Sequence, residues 1–178
     1  VTGAEAVLGG AIEESYRRIS EGLAAGLRRL GAEAAFAPPS GRAYASQPSC
    51  FSTQSVWELS IGGRKVAGSA QCREGGAILQ HGSILLRSPG ERLASLLRAR
   101  PGRPGDTDHA VGLSEALGRE VSYEEAARAL REGMEEIFPG PFDEAPLTTA
   151  EKERARAAAA GRYADPEWTL GREAASSR

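Results

Sequence analysis

The chain has 178 residues and a formal net charge of −2, and it is 40% hydrophobic and 26% charged. This length and composition suit one domain, or one domain with a small appendage, that buries an ordinary core. The near-neutral charge argues against a nucleic-acid partner, and the lack of any apolar run of about 18 residues argues against a membrane span.

Cysteine, histidine and lysine are scarce in this chain, and their small numbers limit its chemistry. Two cysteines, Cys50 and Cys72, are too few for a disulfide framework, so we expect a reducing, cytoplasmic compartment. Two histidines and two cysteines without ligand-like spacing predict no metal site. Only Lys65 and Lys152 are lysines, against 20 arginines. Arginine cannot act as a compact charge that loses its proton readily, whereas lysine can. A lysine in a chain so rich in arginine is therefore a candidate for a specific role.

In chain order, the first predicted element is a helix. Its apolar positions recur at steps of three and four residues: Ile12, Tyr16, Ile19, Leu23, Leu27 and Leu30. Gly31 is a natural C-cap, and residues 33–37 form a short predicted strand. A loop rich in Pro, Ser and Gly then leads to Cys50.

Residues 50–86 predict three consecutive β-strands, with hairpin turns at 62–63 and near 75–76. A two-residue first turn pairs Ile61 with Arg64 and Ser60 with Lys65. One face then carries Trp57, Leu59, Ile61, Val66, Gly68 and Ala70, and the other carries Glu58, Ser60, Lys65, Ser69 and Gln71. Lys65 needs an explanation here, because a buried ammonium is costly without a partner.

The rest of the chain is predicted to be mainly helical. A short helix ends at Pro101, and an exposed linker follows it. Ser122 with Glu125 predicts a capping box for a helix to about Phe138, and Thr148 with Glu151 predicts another for a solvated helix to about Tyr163. We therefore expect two parts, a catalytic portion over residues 1–100 and a linker with a helical extension and disordered tail over residues 101–178.

Several side chains are candidates for chemistry. Cys50 ends a loop close to the lysine-bearing hairpin, where an ammonium favours a thiolate, whereas Cys72 has no such setting. His81 is ambiguous, because a strand histidine is often only hydrogen-bonded to its neighbours, and the register places it on the face away from Lys65. Small residues in the middle of adjacent strands allow a ligand to approach the backbone: Gly68, Ser69, Gly82 and Ser83.

These residues lie in motifs that resemble the lipoate–protein ligase and octanoyltransferase family. The segments are GRKVAGSAQ and LQHGSILL, preceded by SCF, with a closing DPEWTLGR. By this resemblance, Lys65 reaches the carbonyl of a bound acyl group. Cys50 stands where the LipM-type octanoyltransferase branch carries a cysteine, and the ATP-dependent ligases generally lack one there.

The resemblance implies an α+β fold of the biotin/lipoate transferase type, with a mixed sheet and flanking helices. It implies transfer of an octanoyl group from acyl carrier protein to a lysine of the glycine cleavage H protein or of a lipoyl domain. Cys50 and Lys65 would be catalytic. The substrate-binding residues would be Gly68, Ser69, Gln71, His81, Gly82 and Ser83. No cofactor is implied for this reaction.

Three alternatives stay open at this point. An ATP-dependent lipoate ligase would use Lys65 to contact the acyl-adenylate and would leave Cys50 idle. The second alternative is that the chain is a non-catalytic piece of an enzyme. Members of the family begin with a longer part that carries an RRPTGG-like loop. We therefore expect the chain to be a fragment or to need an N-terminal half. The third is that Lys65 is merely a solvated cation on the outer face of its strand.

Overall fold

The computed structural model describes residues 10–36, 57–74, 77–88, 110–138, 140 and 142–170. The chain divides into two compact units, Val1–Pro141 and Phe142–Arg178. The predicted part boundary at residue 100, the helix before Pro101 and the disordered tail lie outside the described residues, so those three stay predictions.

The first unit combines helices with two small antiparallel sheets. Its elements are α1 (Ile12–Arg29), β1 (Ala35–Phe36), β2 (Leu59–Ile61), β3 (Arg64–Lys65), β4 (Ala67–Glu74), β5 (Ala77–Ile84), α2 (Leu113–Leu117) and α3 (Tyr123–Ile137). One sheet has the order β1-β2-β3, and the other pairs β4 with β5. The α+β class is therefore confirmed.

Helix α1 forms where the apolar periodicity predicts it, but it buries a wider surface than predicted. Glu13 and Glu14 lie in its first turn and Arg28 and Arg29 in its last, which complements the helix dipole. Ile12 is 61% exposed, so the first position of the predicted apolar stripe is wrong. The buried residues are Ser15, Ser20, Gly22, Ala24, Ala25, Gly26 and Leu27. Small side chains therefore allow neighbours to approach α1 from more than one side.

Helices α1 and α3 cross in close contact at glycines. A methyl group added at Gly26 would lie 2.6 Å from the Cα atom of Leu130, and one added at Gly133 would lie 2.1 Å from the backbone nitrogen of Gly26. Gly22 meets the same helix at Met134. Only a hydrogen atom fits at these positions, so glycine determines how closely the two helix backbones approach.

The predicted register of the first hairpin is confirmed, and a second hairpin turn lies where one was predicted near residues 75–76. Ser60 pairs with Lys65 and Ile61 with Arg64 across the first turn, where Gly62 and Gly63 have φ values of 57° and 75°. Across the second turn, Glu74 pairs with Ala77. Two-residue turns with both central φ values positive are typical of tight hairpins.

The predicted continuous middle strand is wrong, because it breaks at Val66. The Val66 N–H donates to the Leu59 carbonyl at 2.9 Å, whereas the Val66 carbonyl accepts from the Leu85 N–H at 3.0 Å. Val66 thus joins the sheet of β2 and β3 to that of β4 and β5. Its neighbour Lys65 also accepts a backbone hydrogen bond from Val111 at 2.9 Å. The two continuous faces predicted over residues 57–71 are therefore both interrupted.

The core of this unit lies between α1, the sheets, α2 and α3. Its fully buried large apolar side chains are Leu27, Leu59, Val66, Val111 and Leu113. Ser122 is the N-cap of α3, and its hydroxyl accepts from the Glu125 N–H at 3.1 Å, while the Glu125 carboxylate accepts from Arg119 at 2.7 Å. The hydrogen bond from Arg119 lowers the pKa of Glu125. The predicted capping box is therefore half formed: Ser122 caps the helix, whereas the Glu125 carboxylate accepts from Arg119 and not from the Ser122 N–H.

The second unit is helical and exposed. Helix α4 (Thr149–Ala158) continues through a π-helical turn at Ala159–Tyr163, and α5 spans Pro166–Leu170. Thr148 and Glu151 form the predicted capping box in both directions. Helix α4 has no buried residue, which confirms the prediction of a solvated helix.

Candidate functional site

The first feature of the site is a buried ion pair. The Nζ atom of Lys65 lies 2.8 Å from Oε2 of Glu58, and the two side chains are 1% and 2% exposed. The β2–β3 register explains the contact, because Glu58 is two residues before Ser60, the cross-strand partner of Lys65, and so projects to the same side. The alternative of a solvated outer-face lysine is therefore wrong.

A glycine makes room for this lysine. A methyl group added at Gly68 would lie 3.2 Å from Cε and 3.4 Å from Nζ of Lys65. The predicted alternation placed Gly68 on the face away from Lys65, and the break at Val66 brings the two together instead. Gly68 is itself partly exposed, whereas the Lys65 side chain beneath it is buried.

The residue before Glu58 has an unusual backbone. Trp57 has a φ of 71°, and it is the one residue other than glycine with positive φ in the described part of the chain. A bulky residue in this region is a genuine outlier, and such outliers cluster at functional sites. Its ring packs edge-on against Phe36 at a centroid distance of 5.4 Å. Trp57 thus precedes β2, contrary to the prediction that it belongs to the strand.

An open cleft lies between β4, β5 and the two long helices, with a volume of about 160 Å³. The helices contribute Ile19, Leu23 and Met134, which are apolar. The strands contribute Ser69, Gln80, His81, Gly82, Ser83 and Ile84. Four predicted substrate-binding residues, at positions 69, 81, 82 and 83, therefore meet at one cleft.

The register of β4 with β5 explains how these four residues meet. Ser69 pairs with Gly82 and Gly68 pairs with Ser83. A methyl group added at Gly82 would lie 2.4 Å from the Gly68 carbonyl oxygen, so the strands leave no space for a side chain there. His81 pairs with Ala70 and is exposed. The cleft thus adjoins Gly68, the residue that flanks Lys65.

Gln71 has a different environment from the other predicted substrate-binding residues. Its Nε2 donates to Oε1 of Gln80 at 2.8 Å, and its Oε1 lies 3.1 Å from the Ser15 hydroxyl and 3.1 Å from Nε of Arg73. Arg73 also donates to the carbonyls of Gly10 and Ala11, at 2.7 and 2.9 Å. These contacts tie β4 to the start of α1. Both polar atoms of the Gln71 side chain therefore have partners within the protein: Nε2 bonds Gln80, and Oε1 bonds Ser15 and Arg73.

The two cysteines differ in what the structure describes. Cys50 lies outside the described residues, so its catalytic role stays a prediction. Cys72 is an exposed free thiol on β4, opposite Leu79. Within the described ranges, no group of three or more His, Cys, Asp or Glu side chains could hold a metal ion. The same ranges contain no helix long and apolar enough to cross a membrane.

Sequence reasoning missed Glu58 as a site residue. The predicted register places Glu58 on the same face as Lys65, and a buried ammonium needs a partner. Together these two points would have predicted an ion pair between Glu58 and Lys65. The diagonal position of Glu58 across a two-residue hairpin was the available signal.

The chain matches the family described as "Lipoyl protein ligase A/B catalytic domain" over residues 4–135. It is 43% identical to the octanoyltransferase LipM of Kyrpidia tusciae, over 89% of this chain and 62% of the relative. It is 38% identical to the LipM of Symbiobacterium thermophilum, over 93% of this chain and 65% of the relative. The chain thus spans less than two thirds of the length of these relatives.

Two solved structures share the fold. A lipoate-protein ligase A crystallised with ATP superposes with a TM-score of 0.75 and 25% identity, over 90% of this chain and 60% of that chain. A bi-partite lipoate protein ligase from Thermoplasma acidophilum superposes with a TM-score of 0.70 and 24% identity, over 91% of this chain and 59% of that chain. The predicted lipoate ligase-type fold is therefore confirmed.

Proposed function

Because the chain belongs to the lipoyl protein ligase A/B catalytic domain family, we propose that it acts in an octanoyltransferase. The reaction moves an octanoyl group from acyl carrier protein to a lysine of the glycine cleavage H protein or of a lipoyl domain. The observation that carries this proposal is the 43% identity, over 89% of the chain, to a relative named as an octanoyltransferase.

The geometry of the first unit supports an acyl-transfer site. Apolar side chains from α1 and α3 line one side of the cleft and suit an acyl chain, while Ser69 and Ser83 on the strands offer polar contacts to its carbonyl end. Lys65 lies next to Gly68, which pairs with the cleft residue Ser83. A cleft with apolar side chains from the helices and polar groups from the strands suits a fatty-acyl thioester.

The proposed mechanism uses two half-reactions. The Cys50 thiolate attacks the carbonyl carbon of the octanoyl thioester, a new C–S bond forms, and the carrier thiolate leaves. The amine of the acceptor lysine then attacks the acyl-enzyme, an amide forms, and Cys50 leaves as the thiol with the proton of the amine. The N–H donors of Lys65 would stabilise the negative oxygen that develops in each step.

The test is octanoyl transfer without a nucleotide. The full-length protein is incubated with octanoyl-acyl carrier protein and a lipoyl domain, and the mass of the domain is measured. We expect the addition of one octanoyl group per domain in the absence of ATP. Transfer that is absent without ATP but appears with ATP and free octanoate would contradict the proposal.

The second candidate function is an ATP-dependent lipoate–protein ligase. It is favoured by the likeness to a lipoate-protein ligase A that was crystallised with ATP, at 25% identity. In that case Lys65 would contact an acyl-adenylate and Cys50 would be dispensable. The nucleotide experiment above separates the two, because only the ligase needs ATP.

The proposed reaction also suggests its setting. A catalytic thiol works only while it is reduced, and the low cysteine count of the chain suits a reducing cytoplasm. We propose no cofactor for the transferase, because a thioester already carries an activated acyl group. Which lipoyl-accepting protein is the acceptor would follow from the same mass measurement with each candidate in turn.

A further inference from the structure

In the proposed reaction Lys65 lies close to a reactive acyl group, although the product of the reaction is itself an acylated lysine. A neutral amine beside a thioester can attack it, and the enzyme would then modify itself in place of its acceptor. An ammonium cannot do so, because it has three N–H donors and no lone pair. The environment of Lys65 must therefore favour donation of hydrogen bonds over nucleophilic attack.

We propose that Glu58 is a positioning residue that keeps Lys65 a hydrogen-bond donor and prevents it from becoming an acyl acceptor. The inference rests on the proposed function, because it requires an octanoyl thioester at this site. The Glu58 carboxylate lies 2.8 Å from Nζ with both side chains buried, so it accepts a hydrogen bond from the ammonium and fixes its place.

The backbone supports the assignment to Glu58. Trp57 holds a φ of 71° immediately before it, a conformation that costs energy and persists only where the surroundings enforce it. On the other side, Gly68 packs against the amine, since a methyl group there would lie 3.4 Å from Nζ. The proposed function brings an acyl carbonyl to this amine, which makes protection of the amine necessary.

Loss of the carboxylate should allow a side reaction that balances as follows. A neutral Lys65 amine attacks the carbonyl carbon of the thioester, an N–C bond forms, and the C–S bond breaks. The sulfur leaves as a thiol with the proton of the amine. The product is a stable amide on Lys65, which cannot pass its octanoyl group to an acceptor, so each event removes one enzyme molecule.

The test compares wild type with Glu58→Gln in the full-length protein incubated with octanoyl-acyl carrier protein. We expect the variant to gain an octanoyl group on Lys65 that resists hydroxylamine, and wild type to gain only a hydroxylamine-labile one. We also expect kcat to fall by about tenfold to a hundredfold with little change in KM, the scale of one misplaced catalytic donor. Wild-type kcat without any Lys65 amide would overturn the proposal.

Two matched controls accompany this test. Glu21→Gln removes a carboxylate from a half-buried ion pair with Arg17, away from Lys65, and should behave as wild type. Lys152, the other lysine in the chain, reports indiscriminate acylation in the same peptide map. Equal octanoylation of Lys65 and Lys152 in Glu58→Gln would show non-specific labelling and would also overturn the proposal.

Two further measurements keep the test decisive. If Glu58→Gln does not fold, Glu58→Asp replaces it, because the aspartate keeps the charge but has a shorter side chain. We expect partial acylation of Lys65 in this variant. A folded Glu58→Asp protein with wild-type kcat and no Lys65 amide contradicts the proposal. If wild type forms no thioester, the proposed function fails, yet octanoyl N-hydroxysuccinimide ester still probes the amine. We then expect faster labelling of Lys65 in Glu58→Gln than in wild type, and equal rates would overturn the role of Glu58.

Discussion

Lys65 and Glu58 place two charges in the interior of the first unit, where desolvation opposes them. Removing one partner of a buried pair typically costs about 3–5 kcal/mol, while replacing both partners with apolar residues of similar volume is often neutral. We therefore expect Glu58→Met to destabilise the protein strongly. We expect Glu58→Met with Lys65→Met to recover much of that loss, although the double variant should be inactive.

Urea unfolding of the two single variants and the double variant measures this coupling. A double variant whose loss of unfolding free energy equals the sum of the single losses would show that the pair is not coupled. The comparison also separates the contribution of the pair to stability from its contribution to function.

Lys65 should act through its compact shape as well as its charge. Its Nζ is buried between Glu58 and Gly68, and a planar guanidinium is larger than the ammonium that fits there. We expect Lys65→Arg to lower octanoyl transfer nearly as much as Lys65→Ala, although it keeps the charge. Initial rates at saturating donor measure this, and wild-type rates in Lys65→Arg would show that charge alone suffices.

At the scale of elements, the α1–α3 crossing depends on glycine. Alanine favours a helix over glycine by about 1 kcal/mol, but overpacking a tight contact costs about 1–3 kcal/mol. At Gly26 the added methyl group would lie 2.6 Å from the Cα atom of Leu130, and backbone cannot move aside as a side chain can. We expect the overpacking to dominate and Gly26→Ala to lower the melting temperature.

Gly10→Ala is the matched control, because nothing lies within 4 Å of a methyl group at that position. Its melting temperature should stay close to that of wild type. A Gly26→Ala protein at least as stable as wild type would mean that the two helices move apart at little cost.

The cap of α4 should make that helix sensitive to acid. Hydrogen bonds from the Thr148 hydroxyl and then its backbone N–H lower the pKa of Glu151 from its ordinary value of 4.5. A depressed carboxyl pKa gives stability that is present above the unfolded pKa and is lost as the pH falls through the folded pKa. We expect the first turn of α4 to fray as the pH falls below 4.5.

Backbone NMR shifts of α4 in the whole chain measure this fraying. Glu151→Gln should show a frayed first turn already at neutral pH and little further change in acid. Glu153→Gln, outside the cap, should show the same acid-induced fraying as wild type. An acid transition in α4 that Glu151→Gln leaves unchanged would assign the effect to another group.

At the scale of the whole molecule, local patterns predicted local structure well. Turn glycines established the register that pairs Ser60 with Lys65, and cap residues located α3 and α4. The break at Val66 could not be predicted in this way. It depends on hydrogen bonds from Leu85 and Val111, which approach from distant parts of the sequence.

The same limit applies to the candidate site. Two motifs indicated the family and the residues that meet at the cleft, at positions 69, 81, 82 and 83. The contact of Lys65 with Gly68 follows from the break in the strand, so alternation along one continuous strand placed the two residues on opposite faces. The tight α1–α3 crossing was missed because glycines carry no signal in an apolar periodicity.

The central claim is that the protein transfers octanoyl groups through a thioester on Cys50. The full-length protein is incubated with octanoyl-acyl carrier protein alone, and its intact mass and its hydroxylamine sensitivity are measured. We predict one labile octanoyl group, which Cys50→Ala abolishes and Cys72→Ala, at the exposed thiol of β4, leaves in place. A labile octanoyl group that persists in Cys50→Ala would contradict the account.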